Sequence, residues 1–196
     1  MIKLSHIREV AAHRFVQPAV QLLAKTGLTP NTLTVLGFLV SVAAGGLIAT
    51  DYLLVGGLVV LFAGLFDLLD GALARARGQA TRFGALLDSI LDRLSEAALL
   101  FGLLVLYARQ DETQGILLSG AVLVGSLLVS YVRARAEGLG LKCEVGLFTR
   151  PERVIVLALG LMLDQVLVAL WVMAVLTYVT VAQRFLYIWQ QTRGQP

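Results

Sequence analysis

The stretch that decides the fold is residues 67–92, "DLLDGALARARGQATRFGALLDSILD". It begins at the end of one apolar run and finishes inside another. Asp67 and Asp70 stand three apart, Asp88 and Asp92 four apart, so on helices each pair shares one face. Two such helices packed antiparallel across the intervening turn bring both pairs to the same end. Four carboxylates in or beside greasy segments repel one another and are heavily desolvated, so they need cations. Arg75, Arg82 and Arg93 could supply them as a structural ion-pair network. An all-oxygen donor set also suits a hard divalent ion, Mg²⁺ or Mn²⁺, and no His or Cys lies nearby to suggest zinc. Gly71 and Gly84 allow close helix packing or the approach of a ligand to the backbone. Arg75, one turn beyond Gly71, could reach phosphate oxygens. Metal and arginine beside a membrane surface point to a phosphate-bearing lipid.

Outward from this stretch the chain is apolar throughout. Its 196 residues are 58% hydrophobic, with a mean hydropathy of +0.81. Apolar runs recur at 33–49, 52–66, 83–107, 116–132, 154–163 and 166–181. Most approach the roughly 20 residues that span a hydrocarbon core, and the fifth is short unless its helix starts near Thr149 or continues through Asp164. The expected fold is an all-α integral membrane protein of six transmembrane helices, preceded by an N-terminal amphipathic surface helix over residues 4–23. Residues 1–196 read as one domain, with 1–28 juxtamembrane and 29–190 forming the six-helix bundle. No cleavable signal is expected, and the single Cys143 excludes an intramolecular disulfide. Gly45, Gly46, Gly56, Gly57 and Gly64 suggest close helix packing.

Charge placement sets the expected orientation. Asp51, Asp111, Glu112 and Asp164 fall in the loops after the first, third and fifth apolar runs, and among the sixteen Lys and Arg only Arg109 joins them. By the positive-inside rule both termini and the acidic site face the cytoplasm of a multi-pass protein in the cell membrane. The net charge of +3 marks topology and contact with anionic lipid, with no nucleic acid as partner.

Residues 67–92 resemble the signature of the CDP-alcohol phosphotransferase family, Asp-x2-Asp-Gly-x2-Ala-Arg-x8-Gly-x3-Asp-x3-Asp. All eight fixed positions are present: Asp67, Asp70, Gly71, Ala74, Arg75, Gly84, Asp88 and Asp92. The resemblance implies transfer of a phosphatidyl-type group from a CDP-linked lipid to an alcohol, with release of CMP, by a homodimer. It implies that Asp67, Asp70 and Asp88 hold two Mg²⁺ (or Mn²⁺) ions, that Asp92 contributes to the second, and that Asp92 is the base for the attacking hydroxyl. Gly71, Ala74, Arg75 and Thr81 would line the site for the CDP-diacylglycerol-type lipid. Pro30, Asn31 and Thr34 of "TPNTLT" match a family element near the cytidine.

The stretch "SYVRARAEGLGLKCEVGLFTRPERVIVLALG" looks like the phosphatidylinositol-phosphate synthase branch, whose acceptor, inositol phosphate, is a phosphorylated polyol. Arg133, Arg153 and Arg184 match the positions that grip its phosphate. Arg133 stands where that branch has Lys, and Thr149 where it has Glu. Lys142 and Arg150 are read as positive-inside charges touching lipid headgroups. The alternative acceptor is glycerol 3-phosphate, giving phosphatidylglycerophosphate. A cation transporter using the carboxylates is the distant alternative; the acids' position at one membrane end and the lack of an internal repeat speak against it.

Overall fold

The computed structural model describes residues 17–24 and 27–193, and every regular element among them is helical. A short α1 (Gln17–Ala24) precedes α2 (Pro30–Ala49), α3 (Leu53–Ala76), α4 (Arg82–Arg109), α5 (Thr113–Gly138), α6 (Arg150–Met162) and α7 (Val166–Thr192). Most of the expected surface helix over 4–23 lies outside the described residues; what is described of it is α1. Val20 packs with Leu33 of α2 and Leu73 of α3. Arg77 donates to the carbonyls of Leu23 in α1 and of Leu28 ahead of α2, at 3.0 and 2.7 Å.

Helix starts follow local chemistry. Thr29 accepts from the Thr32 N–H ahead of Pro30, and Thr81 accepts from the Gly84 N–H at the head of α4. Glu152 accepts from the Thr149 N–H at the start of α6, so Thr149 serves as its N-cap. These contacts satisfy donors that a helix's first turn leaves free.

The ends of the helices alternate in kind. After α2, α4 and α6 the chain reverses through Asp51, Asp111 and Asp164, with φ of 68°, 54° and 54°. In each turn the next N–H reaches back to a carbonyl of the last helical turn: Tyr52 to Leu47, Glu112 to Tyr107 and Gln165 to Gly160. This is the Schellman arrangement, normally given to Gly; Asp is among the few other residues that tolerate a left-handed backbone. At the other end of the bundle α3 and α5 close the same way on Gly78 and Gly140. The acidic loop residues expected from charge alone are therefore also the turn-formers.

The principal contacts link α2 to α4, α4 to α5, α5 to α7, α7 to α6, α6 to α3 and α3 to α2, which closes the six helices into a ring. Gly45 and Gly102 let α2 and α4 approach to backbone contact: a Cβ on Gly102 would lie 2.3 Å from the Gly45 carbonyl oxygen. Gly56 and Gly57 also sit at helix contacts, but Gly46 and Gly64 face open space. The half of the ring near the Asp turns is filled by an apolar core that includes Ile48, Leu100, Leu103, Leu157, Leu161 and Leu170. The opposite half buries polar and charged groups instead, among them Asp70, Glu96, Arg153 and Arg184. Large apolar side chains such as Leu39, Phe62, Leu117 and Phe185 point outward. That inverted distribution belongs to a multi-pass protein in lipid.

Of the six helices expected to span, α2, α3, α5 and α7 are long and apolar enough by themselves. Helix α4 has 28 residues but carries Asp88, Asp92, Arg93 and Glu96. Helix α6 has 13 residues, a length of about 20 Å against a hydrocarbon core of about 30 Å. It starts next to Thr149, as one of the two expected extensions had it, but ends at Met162 before Asp164, and so stays short.

Candidate active site

The polar half of the ring holds the signature acids. Asp67 and Asp70 come from the last turns of α3, Asp88 and Asp92 from the first turns of α4, and their charges act on one another. The four divide between two neighbourhoods. Asp70 is buried and turned toward α2: Thr34 Oγ1 donates to its Oδ2 at 2.7 Å, and the Gly71 N–H donates to its Oδ1 at 2.5 Å. Asp70 and Asp88 border a cleft of about 200 Å³ between α2, α3 and α4. Asp67 and Asp92 turn instead toward α6.

All seven residues expected at the nucleotide-lipid site, Pro30, Asn31, Thr34, Gly71, Ala74, Arg75 and Thr81, line this same cleft. Gln79, Ala80, Gly84 and Ala85 complete it. Gly84 earns its fixed place in the signature sterically, because a Cβ there would stand 3.0 Å from Thr81 Oγ1 and 3.1 Å from Asn31 Oδ1. Gly71 has only Arg75 Nη1 near its missing Cβ, at 3.5 Å, so any side chain would project into the cleft. Arg75 is exposed.

The cation paired with the acids is Arg150. Its Nη1 lies 2.6 Å from Asp67 Oδ2 and 2.7 Å from Asp92 Oδ1. Arg150 is thus an internal ion-pair partner rather than a headgroup contact, a correction to the reading from sequence. Arg75 and Arg82 are exposed, and Arg93 donates to the carbonyl and hydroxyl of Ser89.

Three residues beyond Arg150, Arg153 is 2% exposed. Its Nε and Nη2 reach Glu96 Oε1 and Oε2 at 2.5 and 2.7 Å, and Ser126 donates to Glu96 Oε1 at 2.9 Å. Asp92 and Glu96 are one helical turn apart on α4, and Arg150 and Arg153 one turn apart on α6. The two rungs match and cross the interior of the ring. Arg184 is buried and donates to the carbonyls of Val145 and Val129; Arg133 is exposed and pairs with Glu137 at 2.9 Å. Arg184 is within electrostatic reach of both Arg133 and Arg153. Of the three expected acceptor arginines, Arg153 and Arg184 are thus buried and committed to internal partners, while Arg133 is exposed. Glu96 was not foreseen; its signal was its one-turn spacing from Asp92.

Among the described residues no three His, Cys, Asp or Glu side chains converge on a single point as they stand. The donor set nonetheless fits a hard divalent ion: every donor is a carboxylate oxygen, and a cation already bridges two of the four acids.

Residues 27–186 match the family model for CDP-alcohol phosphatidyltransferase. The chain is 38% identical to the phosphatidylinositol phosphate synthase of Mycobacterium tuberculosis (strain ATCC 25618 / H37Rv), over 96% of this chain and 92% of the relative. It is likewise 38% identical to the archaetidylinositol phosphate synthase of Methanothermobacter thermautotrophicus, over 92% of this chain and 91% of the relative. The fold is similar to the crystal structure of the M. tuberculosis synthase with CDP-DAG bound, with a TM-score of 0.83 across 90% of this chain and 94% of that one at 38% identity. A structure of the same synthase in complex with manganese and citrate aligns with a TM-score of 0.83, over 89% of each chain at 38% identity. With the signature acids brought to one end of a helical ring, beside a cleft lined by the residues the resemblance implies, this chain belongs to the CDP-alcohol phosphatidyltransferase family.

Proposed function

We propose that this protein, acting as a homodimer, transfers a phosphatidyl group from CDP-diacylglycerol, or its ether-lipid counterpart, to inositol phosphate, releasing CMP. The observation that carries the reading is the single cleft lined by all seven expected nucleotide-lipid residues and by Asp70 and Asp88. The two inositol-phosphate synthases, bacterial and archaeal, at 38% identity support the choice of acceptor.

In this reading Pro30, Asn31 and Thr34 border the cytidine, and the open backbone at Gly71 and Ala74 admits the diphosphate. Arg75 meets its oxygens from the mouth of the cleft. Asp67, Asp70 and Asp88 hold two Mg²⁺ or Mn²⁺ ions, Asp92 sharing the second. When bound, such ions neutralise charge on the phosphates and on departing CMP. The acceptor hydroxyl oxygen bonds to the phosphatidyl phosphorus as the bond to CMP breaks, and Asp92 takes the hydroxyl proton. Arg133 meets the acceptor phosphate directly, with the buried charges of Arg153 and Arg184 behind it.

The test is CMP release by the purified protein with inositol phosphate, free inositol, glycerol 3-phosphate or serine. Inositol phosphate should be the preferred acceptor, and EDTA should abolish release reversibly. Better use of glycerol 3-phosphate would overturn the acceptor while leaving the family intact. Equal use of free inositol would remove the phosphate pocket.

The topology proposed is six crossings of one catalytic unit, with termini and cleft on the cytoplasmic side of the cell membrane. The closed ring supports it, since α4 and α6 sit between spanning neighbours. In a background lacking Cys143, a cysteine replacing Asp111 should label from outside the cell, and one replacing Gly78 only after the membrane is opened. The opposite pattern would invert the orientation.

A further inference from the structure

Arg150 occupies an unusual position for an arginine. It is the first residue of α6, where a cation is opposed by the helix dipole. Its Nε is buried without a hydrogen-bond partner. What compensates is Nη1, placed between Asp67 of α3 and Asp92 of α4 at 2.6 and 2.7 Å. The side chains of Arg150, Asp67 and Asp92 are 22%, 27% and 26% exposed, so water and small ions can reach the pair. The rung below it is different in kind: Arg153 and Glu96 are 2% and 7% exposed.

Resting on the metal-binding role proposed above for these acids, we infer that Arg150 is a resident counter-cation: it fills a cation seat between Asp67 and Asp92, holds the metal-free site together, and competes with the divalent ion for that seat. One carboxylate oxygen cannot give full strength to a guanidinium and an ion at once. Metal entry therefore breaks the Arg150 pairs, and the energy of those pairs is subtracted from metal affinity by linkage. Removing the guanidinium leaves mutually repelling carboxylates with no counter-charge, which lowers the stability of the metal-free protein and tightens metal binding together. Removing a residue that served only as scaffold would also lower stability but would weaken metal binding, since a loosened site holds an ion less well. The displaced side chain stays near the site, because Arg153 remains fixed to Glu96 one turn further along α6. Metal loading thus turns a bound guanidinium into a mobile one beside the cleft.

The experiment is Mn²⁺ titration of the full-length protein in detergent, followed by electron paramagnetic resonance of free Mn²⁺, with melting temperatures in EDTA and in saturating Mn²⁺. Arg150→Gln should bind Mn²⁺ about tenfold tighter than wild type, melt lower in EDTA, and recover most of the difference in Mn²⁺. Arg150→Lys keeps a charge but loses the planar fork, so its affinity should fall between the two. If Arg150→Gln does not fold, the lysine variant decides by binding tighter or weaker than wild type. Unchanged or weaker Mn²⁺ binding in the folded variant overturns the inference and leaves the metal site standing. Absence of Mn²⁺ binding by wild type would remove the metal site, and this inference with it.

Discussion

Asp92→Asn should lose about 10²–10⁴-fold in turnover, the usual worth of a general base, while still binding the CDP-lipid in the presence of metal. The separation follows from position. Asp92 does not line the cleft that holds the seven nucleotide-lipid residues; it faces α6 and pairs with Arg150. Asparagine has nearly the same shape, and its carbonyl can still accept from the Arg150 guanidinium. What it cannot do is take a proton from the acceptor hydroxyl or offer a charged oxygen to a metal. CMP release at saturating substrates, measured beside CDP-lipid binding, checks both halves. A kcat near that of wild type would assign the proton to some other group.

The largest effect on stability is expected at Glu96. Arg153 is fully enclosed, and Glu96→Ala would leave its charge without a counter-ion and Ser126 without its acceptor. Breaking one side of a buried pair costs about 3–5 kcal/mol. Removing both partners, as in Glu96→Leu with Arg153→Met, should restore most of that loss, because an apolar pair leaves no orphaned charge. Acceptor use should not return with stability, since the double variant lacks one of the three arginines proposed for the acceptor phosphate. Unfolding of the single and double variants in detergent, with KM for inositol phosphate measured alongside, distinguishes the two effects. Additive losses in the double variant would show that Glu96 and Arg153 are not coupled.

How far these features were legible before the structure depends on their range in sequence. The spacing of Asp67, Asp70, Asp88 and Asp92 is a property of two adjacent helices and the turn between them, and local periodicity reads such geometry well. The cleft adds only α2, the helix before them. The crossings made by α6 left no such trace. Arg150 meets Asp67 and Asp92 across the interior of the ring, and Arg153 meets Glu96 there too, so periodicity along one helix cannot pair them. Charge count placed Arg150 at the same end of the bundle as the acids but sent it toward lipid. Of the six spans expected, four helices are long and apolar enough by themselves; α4 carries charges within its apolar length, and α6 is short, beginning at the arginines that reach the acids. The Asp residues of the turns away from the site were read for charge alone, because a left-handed backbone is visible in sequence chiefly when Gly marks it.

Those turns have a mechanical consequence. Residues 50–52, 110–112 and 163–165 fasten the helices into three stiff hairpins, α2–α3, α4–α5 and α6–α7, each hinged at the end away from the site. The signature acids and Arg150 lie at the opposite ends, where residues 77–81 join the first hairpin to the second and residues 139–149 join the second to the third. Arg150 on the third hairpin grips Asp67 on the first and Asp92 on the second, so a single guanidinium works as a clasp on all three. The four signature acids belong only to the first two hairpins. On the inference drawn above, an ion held by those acids would replace the clasp between the first two and release the third at that rung, while the buried Arg153–Glu96 pair still ties the third hairpin to the second.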